Sequence, residues 1–454
     1  MTFIVNCISK IFMTIVILLN GIFSLLGLIV RGIGAIFGSG GTWKTRIAAV
    51  LTAPEGQRLV FSFLRAFIPN LAIGKVLVKA YENTGTAVIS RNDDVKEVLN
   101  RDADFEVVYG PRMREITGGE NFFLGMQNTP KYTQDTSNMR IAMRRDDVPS
   151  IIVPLAAKRA EEIVAAAGGK LDLPQDLTLQ IPALMVAEYF GTPGPSSREM
   201  MDWTTIMFWY LFIDLQADPD TIAKAKEAAK NCCAYLDKAI AERKANPTDA
   251  DDVLNRCLEM QKAEIPGMDD EGIRNNMIGM LIGAIPTISK ASTQIMDQLF
   301  DRPDALEMAQ IAARSDHDEE LANCLFEAFR FNPINPVIYR RAAVDTVVAR
   351  GTLRARRIKK GTLVFAANFS AMFDPLKIDA PNSFRADRPW EDYMLWGYAM
   401  HTCSGAYINR AIIPALMKPL LQRRNLRRAE GPAGQIDTAG TPFPVHMQVT
   451  FDAD

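Results

Sequence analysis

Apolar and polar positions are distributed unevenly along this chain. Ile11 to Val30 carries no charge between Lys10 and Arg31, and a run of that length can cross a hydrocarbon core of ~30 Å. A secretory signal usually has a shorter apolar region, ~7–15 residues, ending in a small-residue cleavage site. A transmembrane helix is therefore the first reading, with an interfacial segment or a signal peptide as alternatives. Gly38-Ser39-Gly40-Gly41 reads as a linker. Arg31, Lys44 and Arg46 after the run outweigh Lys10 and the amino terminus before it, which puts the C-terminal body on the cytoplasmic side.

Beyond the linker the period is mostly helical. Ala87 to Leu99 reads as a short strand and then an Asp-capped helix. Ser150 to Ala167 is helical, with Val153, Leu155, Ala156, Ile163 and Val164 on one face. Leu177 to Phe190 is a further apolar helix, stopped at Gly191-Thr192-Pro193-Gly194, and Glu199 to Leu215 is rich in aromatics. Thr221 to Lys244 alternates alanine with charge, as a solvent-facing helix does. Gly272 to Phe300 is long and apolar. Its Asn275, Asn276, Pro286, Thr287 and Ser289 favour a buried central helix over a second membrane span. Strand-like runs follow at Val337 to Arg341, Val344 to Ala349 and Thr362 to Ala366. The pattern predicts a mainly α fold with minor β. An anchor and linker occupy residues 1–44, and one catalytic domain occupies 45–454.

Composition narrows the function classes. A formal net charge of −2 gives no electrostatic case for nucleic acid as a partner. Six scattered cysteines show neither zinc-site spacing nor a disulfide framework, which suggests a reducing compartment. Three histidines leave little material for a multi-histidine metal site or a Ser-His-Asp base. An enzyme built from this chain would carry its chemistry on a cofactor.

Two patterns in the last third bear on that cofactor. In Glu327-Ala328-Phe329-Arg330 the carboxylate and guanidinium share a helix face, although a surface ion pair would look the same. In Trp396–Gly405 a glycine follows the opening aromatic, His401 stands two positions before Cys403 and Gly405 two after, and a helix begins at Ala406. A thiolate near a helix N-terminus is stabilised by the dipole and by free amides. A lone cysteine is more often a small buried hydrophobe.

The order of these patterns resembles the cytochrome P450 superfamily. Glu327 to Arg330 matches the family's E-x-x-R. Phe384-Arg385-Ala386-Asp387-Arg388-Pro389 matches the segment that supplies its third partner, here Arg388. Trp396 to Gly405 matches F-x-x-G-x-H-x-C-x-G, with Trp396 for phenylalanine and Ala399 where glycine is common. The resemblance implies the P450 fold and haem b (iron protoporphyrin IX) with Cys403 as thiolate axial ligand. It implies Arg340 and His401 at the haem propionates, with Arg140 or Arg144 as further candidates. Asn368 to Pro375 fits the run between these motifs.

One departure concerns oxygen activation. Most family members carry A/G-G-x-D/E-T in the central helix. Gly283-Ala284-Ile285-Pro286-Thr287 keeps the threonine and replaces the acid with proline. Proline relays no proton and removes a helical hydrogen bond, so freed carbonyls with Thr287 and Ser289 are expected to order water instead. Two enzymatic readings follow. One is a monooxygenase using O2 and an external reductase or ferredoxin; the other is a peroxygenase or fatty-acid hydroperoxide isomerase needing no reductase. A non-catalytic haem protein is a third class. The basic run Arg350, Arg354, Arg356, Arg357, Lys359 and Lys360 is a solvated hairpin or a redox-partner face. The aromatics from Trp203 to Phe212 suggest an apolar substrate such as a fatty acid or lipid.

Overall fold

The first helix is longer than its uncharged run, because Lys10 and Arg31 are both accommodated within Thr2–Phe37. The computed structural model describes residues 2–38, 41–315 and 317–453, with side chains from Met13 onward. The proposed linker residues Ser39 and Gly40, and the side chain of Cys7, lie outside the described residues. Met13–Phe37 is long and apolar enough to cross a membrane. The helix packs lengthwise on Pro54–Phe67. Gly21 permits the approach, since a Cβ there would fall 2.3 Å from the Ala66 Cβ. Arg46 folds back to donate to the Ala35, Ile36 and Gly41 carbonyls. It thereby satisfies acceptors that a helix C-terminus leaves open.

The chain forms two compact units. One gathers the chain up to Leu77 with Glu82–Glu106 and Arg330–Met400; the other gathers Val78–Tyr81, Val107–Phe329 and the chain from His401 on. The first unit holds a five-stranded sheet of β1 (Asn70–Ile73), β2 (Gly85–Ile89), β3 (Phe105–Glu106), β5 (Ile338–Ala342) and β8 (Thr362–Ala366), in the order β1-β2-β8-β5-β3. β2 and β8 run parallel with Ala87 opposite Val364, and the other pairs are antiparallel. β6 (Thr346–Val348) and β7 (Arg356–Ile358) make a separate hairpin. The basic run lies here as the hairpin reading expects. Arg354 and Arg357 are already paired with Asp94 and Asp345. The helix after β2 is Asn92–Asn100, but none of its own aspartates caps it. Asp374 accepts the Asn92 amide at 3.0 Å and pairs with Arg91 at 2.9 Å. Asp94 is instead taken up by Arg354 and Asn70.

The second unit is helical around a long central helix, Asp270–Phe300. Helices Gln180–Glu188, Ser197–Phe208 and Pro219–Ala245 pack on it. Its polar positions explain why it is a core element. Ser289 and Thr293 both reach Thr178, at 2.9 and 3.2 Å, from fully buried sites. A small sheet, β4 (Lys170–Asp172), β10 (Gln448–Thr450) and β9 (Arg427–Arg428), completes the unit. The expected helix from Ser150 begins as a π-helical turn, Val148–Ile152, and continues as Val153–Ala166, burying Ala156, Ala160 and Val164.

Candidate functional site: a thiol at a helix N-terminus

Cys403 stands just before the helix Ala406–Leu421. The residue keeps accessible surface, yet enough protein surrounds the sulfur that desolvation raises its pKa. The backbone dipoles of Gly405 and Ala406 at the start of the helix pull the other way, while the Ala406 amide itself donates to the Cys403 carbonyl at 3.2 Å. Cys232 and Cys257 lack that help, and burial, reinforced by Cys233 and by Asp252 respectively, pushes each up to about 12. Among the described residues Cys403 is the exposed cysteine, and it stands at a helix N-terminus. Upstream, Gly397 and Ala399 both adopt left-handed backbone, at φ 82° and 61°. That accounts for the glycine common at the latter position, since a Cβ is strained there.

Other predicted residues take definite places in their own units. Glu327 and Arg330, one turn apart on Asp318–Phe331, are completely buried, which removes the surface-ion-pair reading. Arg330 donates to the Met372, Pro381 and Ser383 carbonyls and lies 4.3 Å from the Phe373 ring centroid. Arg388 donates to the Asp379, Ala380 and Ser383 carbonyls. The two guanidiniums therefore meet at one acceptor, Ser383 O, and pin the segment leading to the cysteine loop. Arg340 is buried on β5 and donates to Tyr339 O at 2.9 Å. His401 packs edge-on against Tyr132, with ring centroids 5.0 Å apart. Arg140 is exposed on the same helix, Pro130–Ala142, close enough to Tyr407 to act on its charge. Arg144 instead pairs with Asp251.

The central helix corrects two expectations. Pro286 does not open it; Asp270–Phe300 is continuous. The carbonyl that loses its donor is Ile282 O, since proline lacks an N–H, and Ile282 is buried. Thr287 does not reach it, because its hydroxyl donates to Gly283 O. Ser289 turns to Thr178, with their hydroxyl oxygens 2.9 Å apart. What remains is an accessible stripe, with Gly283 exposed and Ala284 and Thr287 partly so, in a helix otherwise largely buried. A Cβ on Gly283 would meet nothing within 4 Å. Sequence reasoning missed Tyr132, Tyr407 and Lys290.

A core of helices with a minor parallel–antiparallel sheet, and an exposed thiol at a helix N-terminus, define a haem-thiolate protein. The chain belongs to the cytochrome P450 family, whose model matches residues 70–394. It is 25% identical over 359 residues to a steroid C26-monooxygenase of Rhodococcus jostii, covering 76% of this chain and 70% of that one. It is 24% identical over 349 residues to mycinamicin IV hydroxylase/epoxidase of Micromonospora griseorubida, covering 74% and 81%. The structure of cytochrome P450 CYP109Q5 from Chondromyces apiculatus superposes with a TM-score of 0.71 at 18% identity, over 89% of this chain and 97% of that one. The chain is a haem-thiolate monooxygenase with a small-molecule substrate and a redox partner, and the peroxide-dependent and non-catalytic alternatives are not favoured. An exposed cysteine just before a helix N-terminus fits haem ligation.

Proposed function

We propose that Cys403 is the axial thiolate of a membrane-anchored monooxygenase that oxidises an apolar substrate, a fatty acid or lipid, with electrons from a separate reductase or ferredoxin. The observation that carries the ligand assignment is an exposed cysteine placed just before the N-terminus of Ala406–Leu421, where the Gly405 and Ala406 backbone favours the thiolate. Arg340, His401 and Arg140 would hold the haem propionates, and Glu327, Arg330 and Arg388 would keep the cysteine loop in place. When bound, haem supplies oxygen activation and transfer to the substrate.

The chain supplies the rest. The N-terminus of Ala406–Leu421 would help bear the sulfur's negative charge. Thr287 presents its oxygen on the accessible face of the central helix while its proton is held on Gly283 O. It must therefore rotate before it can donate that proton onward. Residues 1–44 act as the anchor, supported by the exposed apolar surface of Leu19, Phe23, Leu26 and Val30. Residues 45–454 form the catalytic domain on the cytoplasmic side.

The test is the ferrous–CO spectrum of the purified full chain. Wild type should show the red-shifted Soret band of thiolate ligation, and Cys403→Ser should lose it. A Cys403→Ser protein that keeps the band would overturn the assignment. Turnover of a fatty acid should need oxygen with a surrogate reductase; turnover with peroxide alone would overturn the oxygen-dependent reading.

A further inference from the structure

Lys290 is unusual in the central helix. It is only 8% exposed, and among the described residues its ammonium has neither an ion pair nor a hydrogen bond. Gly283, Thr287 and Lys290 are spaced by four and then three residues, so they lie on one helix face. That face is the accessible stripe: open at Gly283, partly open at Thr287, and ending at Lys290. The Phe443 ring centroid lies 5.5 Å from Nζ. From Phe443 an aromatic row continues to Phe208 at 6.0 Å and on to Phe212 at 4.8 Å.

A buried cation without a counter-charge is costly, and one aromatic ring offsets only part of that cost. Desolvation alone lowers the lysine to about 8, with no neighbouring carboxylate to raise it again. The side chain is thus cationic at neutral pH and short of an anion. It stands where an accessible face meets an apolar wall.

We propose that Lys290 binds the carboxylate of an otherwise apolar substrate whose body lies along Phe443, Phe208 and Phe212. The enzyme would then select free carboxylic acids over the matching alcohols and esters. That the ligand is a substrate rests on the monooxygenase reading above; that the site takes a carboxylate does not.

Calorimetric titration of the haem-loaded full chain with dodecanoate, dodecanol and methyl dodecanoate separates the two. Wild type should bind dodecanoate about tenfold or more tightly than either neutral probe, as a charge-assisted contact in a buried site implies. Lys290→Met should erase that preference by weakening the acid alone, and Lys290→Arg should retain most of it. The methionine variant removes an unpaired buried charge, so its melting temperature should equal or exceed wild type, which guards against misfolding. Equal binding of acid and alcohol by wild type, no binding of dodecanoate, or equal loss of all probes in Lys290→Met would each overturn the proposal. Acid binding through Lys290 in a protein lacking the thiolate ferrous–CO band would sink the haem reading and leave the carboxylate site standing.

Discussion

Two helices of this protein look alike as strings and differ as objects. Thr2–Phe37 and Asp270–Phe300 are the long apolar helices of the chain, each interrupted by glycine and small polar residues. The first exposes Leu19, Phe23, Leu26, Val30 and Phe37, and rests on Pro54–Phe67, through Gly21, and on Trp43–Thr52. The second buries Ile278, Leu281, Ile285, Ile288 and Ile295, and its Ser289 and Thr293 hydroxyls meet Thr178 on an adjoining segment. Apolarity drives both out of water. What decides the outcome is how much of the helix other elements cover, and which of its polar groups they meet.

A charge placed on each helix should break the likeness most forcefully. Ile285→Asp puts an unpaired carboxylate into a fully buried site and should cost about 4 kcal/mol or more, so thermal unfolding should show a lost or collapsed transition. Leu26→Asp, on an exposed position, should leave the melt unchanged while releasing the protein from sedimented membranes.

The next effect concerns the charge already present. Lys290 has a folded pKa of about 8 against an unfolded value of 10.5. Between these values the unfolded chain holds more protons than the native one, so stability should rise with pH across that window. The penalty is fully present below about pH 8 and is relieved as pH approaches 10.5. Its size is on the order of 3 kcal/mol. Lys290→Met should lack the slope in denaturant melts taken across that window. An identical slope in the variant would show that another group sets it.

Smaller changes sharpen the contrast. Thr178→Val takes a partner from both Ser289 and Thr293, and should cost about 1–2 kcal/mol in denaturant unfolding. The two glycines should respond in opposite directions. Gly283→Ala meets open space and should stabilise the central helix by about 0.5–1 kcal/mol. Gly21→Ala collides with Ala66, and should raise hydrogen exchange in Pro54–Phe67 without lowering the main transition.

Parts of the molecule were readable from residue order because they depend on local chemistry or on spacing. The central helix announced itself by length and by the asparagines and hydroxyls within it. The Glu327, Arg330, Arg388 and Cys403 series was legible as spaced motifs. The short strands β1, β4, β9 and β10 were not, since two to four residues give too little alternation for a period, and their partners are remote. The cap of Asn92–Asn100 was misread for the same reason. Asp93 and Asp94 sit where a cap is expected, but the carboxylate that accepts the Asn92 amide comes from Asp374.

Residue types and spacing alone thus determined the family motifs, the apolar N-terminal run and the loss of the acid at Pro286. Only the tertiary structure decided which of two apolar helices is covered, that both arginines converge on Ser383 O, and that Lys290 is left unpaired beside an open face. Burial and hydrogen-bond satisfaction depend on what the rest of the chain brings alongside, which no local pattern specifies.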